Sequence, residues 1–158
     1  MILLALILGT LPAAPNADSI DDPATASATE PERPARWTLD EIFAALRQVE
    51  TGGSKSGGRR SVGDGGKAIG PLQIHRAYWQ DSGVPGRFED CRELSYARKV
   101  ALAYWRRYCP KALEALDAET LARVHNGGPK GARKESTKVF WSKVERELAR
   151  RREKSRFC

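Results

Sequence analysis

GDGGKAIGPLQIHRAYWQDSG, residues 63–83, places four glycines ahead of Pro71 and then runs into Ile74, Tyr78 and Trp79. Glycine leaves the backbone bare and free to take left-handed turns, whereas the apolar residues behind it mark one face of a helix. A loop that passes so abruptly into an aromatic helix start predicts a turn or small β-hairpin laid beside a helix. Pro71 is expected at the first helical position, where its missing N–H costs nothing, with the helix ending near Asp81.

On either side the folded part reads as almost all helix. Thr38-Leu39-Asp40-Glu41 is a capping box, with Thr at the N-cap and Glu at the third helical position. Ile42, Phe43, Leu46 and Val49 follow at helical spacing, and the helix reaches Glu50 before Gly52-Gly53 stops it. Ser54 to Gly70 is glycine-rich and polar, suiting a loop or a short hairpin. Residues 92–108 predict a third helix, and Pro110 opens a short one to about Leu116. Asp117 can cap a helix to His125, which Gly127-Gly128-Pro129 terminates. Ser136 or Thr137 starts the last helix, with Val139, Phe140, Val144 and Leu148 facing inward. Residues 149–158 read as a basic, fraying tail. The expected fold is mainly α: one small helical domain over residues 37–148, with the glycine-rich loop or short β-hairpin beside a cleft.

Composition bounds the function. The 158 residues are 41% hydrophobic and 30% charged, which suits one soluble domain. Net charge is +7, and the first 35 residues hold five acids and one base, leaving 26 bases against 15 acids beyond them. A surface so basic draws polyanions. MILLALILGTLPAA is apolar for about ten residues, too short to span a bilayer, and small residues follow it. Residues 1–17 therefore read as a signal peptide of a secreted or periplasmic protein, with no stable membrane insertion once it is cleaved. Residues 18–36 are rich in Pro, Ala, Asp, Ser and Thr and read as a disordered linker. The three cysteines are too few for a disulfide scaffold. Cys91 and Cys109 bracket one predicted helix, roughly 27 Å long at about 1.5 Å per residue, whereas a disulfide needs Cα atoms within about 7 Å. No Cys or His spacing suits a metal, and no cofactor is expected.

Glu50 carries the chemistry. A carboxylate that ends an apolar helix meets the unfavourable end of the helix dipole, and apolar neighbours add desolvation. Both raise its pKa, as a general acid working near neutral pH requires. The glycine-rich segment then brings Asp64 and bare backbone toward a cleft, and Gln73, His75, Tyr78 and Trp79 follow. Flat aromatic faces with amide and hydroxyl groups suit a glycan groove, one of Tyr78 and Trp79 being assigned to core packing instead. His125 and Asn126 are the remaining candidates, Asn126 as groove lining and His125 either there or half-buried.

Taken in order, Glu50-Thr-Gly-Gly, GPLQIHRAYWQDSG, and ARVHNGGPKG followed by TKVFW resemble the invertebrate-type lysozyme (destabilase) family, within the lysozyme-like and lytic transglycosylase superfamily. The similarity covers residues 39–145, nearly all of the folded part. It implies an α+β lysozyme-like fold and hydrolysis of peptidoglycan between N-acetylmuramic acid and N-acetylglucosamine. Glu50 falls on the family's catalytic Glu and would protonate the glycosidic oxygen. The family's second carboxylate stands in a D-V-G string, where this chain has Ser61-Val62-Gly63; Asp64, three residues on, can take its place as nucleophile or oxocarbenium stabiliser. Without Asp64, a lytic transglycosylase using Glu50 alone, with the muramyl 6-hydroxyl as nucleophile, becomes the alternative. The family is rich in disulfides, but Ser54, Ser82 and Ala132 stand where cysteines would be expected.

The expected partners are peptidoglycan glycan strands, with anionic cell-wall polymers held by the basic surface and its C-terminal Arg/Lys cluster. A non-catalytic glycan-binding module is the second alternative. No specific nucleic acid is expected, because the charge comes without a recognition motif.

Overall fold

The computed structural model describes residues 37–156; the expected signal peptide, the linker and Cys158 lie outside the described residues. Six helices and one small sheet follow in chain order: α1 Leu39–Thr51, β1 Val62–Gly63, β2 Ala68–Ile69, β3 Ile74–His75, α2 Arg76–Ser82, α3 Leu94–Tyr108, α4 Pro110–Ala115, α5 Ala118–Gly127 and α6 Lys138–Arg156. Short 3-10 turns at Asp64–Gly66, Phe88–Arg92, Gly131–Arg133 and Glu135–Thr137 join them.

The sequence signals act where expected at both ends of α1. Thr38 accepts from the Glu41 backbone while the Glu41 carboxylate takes the Thr38 N–H at 2.7 Å, and Gly52 closes the helix in the left-handed conformation. The apolar stripe of Ile42, Phe43, Ala45 and Leu46 is fully buried. Phe43 stacks on Trp105 of α3 with ring centroids 5.1 Å apart. Helix α5 lies at the centre, packed by α1, α3, α4 and α6. Its Leu121, Ala122 and Val124 are in the core, and even Arg123 is buried. That guanidinium is satisfied by Glu119, by Thr137 Oγ1 at 3.1 Å and by the Lys134 carbonyl at 3.1 Å, which ties the turns after α5 back onto it.

Three expectations are corrected. Pro71 does not open a helix: the chain turns through Gly70 at φ +77° and Gln73 at φ +45°. Ile74 and His75 then pair with Ile69 and Ala68 as β3, so α2 begins only at Arg76. Pairing to β2 satisfies backbone groups that a helix would otherwise have claimed. Val139 is 66% exposed, and the inward face of α6 starts with partly buried Phe140 and passes to Val144 and Leu148. Finally, α6 stays helical to Arg156, where composition suggests fraying. Glu147 holds Arg150 at 2.8 Å and Arg151 at 2.7 Å, and Arg152 lies over the Trp37 ring at 3.6 Å. These i,i+3 and i,i+4 pairs stiffen the last turns. Among the described residues Cys91 and Cys109 are both free.

The hairpin is docked through Gly70. A Cβ there would overlap the carbonyl oxygen of Cys91, a backbone atom that cannot step aside, and the left-handed backbone adds strain. Gly70→Ala is expected to cost about 2–4 kcal/mol of unfolding free energy in urea titration, whereas Gly65→Ala, with open space around it, should cost only the smaller left-handed penalty of about 1–2 kcal/mol.

Candidate active site

Glu50 stands one residue before the end of α1. The three-stranded sheet lies on one side of it and the last turn of α5 on the other. Between them is a cavity of about 180 Å³ lined by Glu50, Asp64, Ala68, Gln73, His75, Tyr78, His125 and Asn126. Seven of the eight candidate residues read from the sequence thus meet at one place. Trp79 does not join them. Its Nε1 donates to the Tyr96 hydroxyl at 2.9 Å, and its ring packs 6.2 Å from Phe88, on the core side of α2. Tyr78 divides its roles: it is almost fully buried, stacked 3.7 Å from Tyr104, with an edge reaching the cavity.

Burial sets the charge state of Glu50. Its side chain is 18% exposed. Desolvation, and second the negative charge of Asp64, push its pKa up to about 8. Beside it, at 3.6 Å from Glu50 Oε1, lies His125 Nε2. Desolvation holds His125 down to about 4, against the opposing pull of the Leu72 carbonyl. Near neutral pH the two therefore face each other as a neutral acid and a neutral imidazole, and no ion pair forms. The tautomer follows from the partners. Leu72 carbonyl oxygen can only accept, so Nε2–H donates to it at 3.0 Å, leaving Nδ1 to accept from the Tyr78 hydroxyl at 3.3 Å. His125 is consequently a fixed wall of the cavity, more deeply buried than either reading of the sequence assumed.

The second carboxylate is built differently. Asp64 sits at φ +48°, a left-handed conformation that Asp tolerates better than most residues, at the tip of the β1–β2 turn. Its side chain is 70% exposed. The His75 Nε2–H donates to Asp64 Oδ2 at 2.9 Å, and because a carboxylate only accepts, this bond also sets the His75 tautomer. Gln73 is held by its own Nε2–H donating to the Gly70 carbonyl at 2.8 Å, and only the absence of a Cβ at Gly63 makes room for its Oε1. Ala68, the Leu72 carbonyl and the Asp64–His75 bond escaped the sequence reading. The first two carry no distinctive chemistry, and the third depends on hairpin register. No group of His, Cys, Asp and Glu suited to a metal occurs among the described residues.

A mainly helical domain whose buried acid ends one helix and faces a second carboxylate on a small sheet has an α+β lysozyme-like architecture. The chain belongs to the invertebrate-type lysozyme family. It is 38% identical over 106 residues to the lysozyme of Meretrix lusoria, covering 66% of this chain and 85% of that one. It is 39% identical over 79 residues to the lysozyme of Magallana gigas, where the match covers 49% of this chain and 58% of the relative. Against lysozyme 1 of Crassostrea virginica it spans 44% of the relative's length. The crystal structure of Tapes japonica lysozyme superposes with a TM-score of 0.56 at 31% identity, over 66% of this chain and 85% of that one. No family model matches the chain.

The shifted groups give stability a pH dependence with opposing signs. Glu50 loses its proton on unfolding between about pH 4.5 and 8, so the unfolded state binds fewer protons and stability falls as pH rises. His125 does the reverse between about 4 and 6.5. The two oppose each other up to about pH 6.5, and above it Glu50 acts alone. Unfolding free energy from urea titrations is expected to fall between pH 6.5 and 8, by up to about 1.4 kcal/mol per pH unit. Glu50→Gln should flatten that slope and be the more stable protein at pH 8; an unchanged slope would place another group behind it.

Proposed function

We propose that this protein is a secreted lysozyme that hydrolyses the peptidoglycan glycan strand between N-acetylmuramic acid and N-acetylglucosamine. The observation that carries the reading is Glu50, buried in a polar cleft that raises its pKa and that it shares with an exposed Asp64. Glu50 donates its proton to the glycosidic oxygen as the bond breaks. Its oxygen is held near neutral His125, which cannot take that proton while its Nε2–H is committed to Leu72. Asp64 is held by His75, and it stabilises the developing oxocarbenium ion or attacks it. Gln73 and Asn126 offer amide groups to the sugar. No helix of the described residues is long and apolar enough to cross a membrane.

A second reading has its own observation. Asp64 is largely exposed and bound to His75, and Ser61 stands where the family pattern has its carboxylate. If Glu50 works alone, the muramyl 6-hydroxyl attacks and the products carry 1,6-anhydro ends.

Clearing of a bacterial cell-wall suspension tests the acid. Glu50→Gln is expected to lose about 10²–10⁴-fold in rate, and the wild-type rate should fall above about pH 8 as Glu50 ionises. Equal clearing by the variant would remove Glu50 from catalysis. Product analysis separates the two readings: reducing ends together with a large loss in Asp64→Asn mark the hydrolase, and anhydro ends with an active Asp64→Asn mark the transglycosylase. His75→Ala should lower the rate by about tenfold in wild type and leave Asp64→Asn unchanged, because His75 acts through that carboxylate.

A further inference from the structure

A second concavity, of about 470 Å³, shares no residue with the catalytic cavity. Ser56, Arg59, Arg60, Arg92 and Glu93 line it. It forms where the loop that joins the Glu50 helix to the Asp64 hairpin meets the end of the Phe88–Arg92 turn. The junction is built rather than incidental: Arg92 Nη1–H donates to the Arg59 carbonyl at 3.2 Å, and Arg59 pairs with Glu93 across the gap. Arg60 makes no ion pair or hydrogen bond within the described residues. Three guanidinium groups against one carboxylate leave the cleft with two net positive charges.

We propose that this cleft is a phosphate-binding site that holds the phosphodiester groups of an anionic wall polymer; the choice of polymer rests on the cell-wall reading above. Guanidinium forks from two segments can meet different oxygens of one tetrahedral phosphate, with Ser56 as a further donor. Glu93 does not bar the way. Its pair with Arg59 is 50% and 65% exposed, and such pairs are weak enough to exchange partners. The two cavities divide the charge between them. Glu50 and Asp64 line the catalytic cavity, which has no Arg or Lys among its lining residues to meet a phosphate, so a wall polymer is held beside the glycan groove and kept out of it.

The test is binding of poly(glycerol phosphate) to the full chain by titration calorimetry at fixed ionic strength. Arg59→Gln/Arg60→Gln is expected to bind about tenfold more weakly or worse, as loss of charge-assisted contacts demands. Lys143→Gln/Arg146→Gln removes the same charge from the exposed side of α6 and should change affinity by less than about twofold. Equal losses in the two variants would overturn the site in favour of a diffuse basic surface. Inorganic phosphate and phosphatidylglycerol vesicles, matched for phosphate, should each compete at least about tenfold less well than the polymer; parity of either would overturn the polymer assignment. Cleavage of a phosphate-free soluble glycan by the Arg59/Arg60 variant should match wild type, which shows that it is folded. Polymer binding without glycan cleavage in the wild type would instead count against the proposed activity alone.

Discussion

Desolvation of one carboxyl group is the constraint on which the rest of this structure turns. Glu50 is buried enough to push its pKa up to about 8, yet its side chain stays 18% exposed in the cavity. Helix α1 delivers it with an apolar face that ends one turn earlier, so the same packing that stabilises the helix withdraws water from its last residues. Helix α5 completes the enclosure with His125, kept neutral by its burial and held in place by the Leu72 carbonyl and Tyr78. The hairpin closes the third side and brings a second acid, Asp64, into the cavity. Core and site share helix α1, which stacks Phe43 on Trp105 of α3 and carries Glu50 near its end.

How much of this could be read beforehand follows from the range of the forces involved. The capping box at Thr38–Glu41, the Asp117 cap and the stop at Gly52 are local, with donors and acceptors a few residues apart, and each acts as read. Glu50, Gln73, His75, His125 and Asn126 lie in recognisable strings, and they meet in one cavity. What failed was decided over longer range. Pro71 is as good a helix opener as its sequence suggests, but strand pairing to Ala68 and Ile69 outbids a helix at Ile74 and His75. Trp79 and Tyr78 are neighbours on a helix and so must face different ways; only the packing of Tyr96 and Phe88 on one side and of Tyr104 and His125 on the other decides which faces the cleft.

The hairpin gives Asp64 its place in the cavity. Asp64 takes a left-handed backbone and a histidine partner, both on the short stretch between β1 and β3. A carboxylate carried at an exposed turn is less fixed than one on a regular element, and the His75 bond offsets that freedom. The basic surface likewise resolves into parts. Arg123, Arg150 and Arg151 are engaged in internal pairs, whereas the second cleft gathers Arg60, which makes no ion pair or hydrogen bond within the described residues, with Arg59 and Arg92, which brace its walls.

The proton of Glu50 decides what this cavity can do. A carbon-13 NMR titration of its side-chain carboxyl, assigned by its loss in Glu50→Gln, reads that proton directly. The expected result is a midpoint near pH 8, moving lower in Asp64→Asn as the neighbouring charge disappears. A midpoint near the ordinary 4.5, indifferent to Asp64, would contradict it.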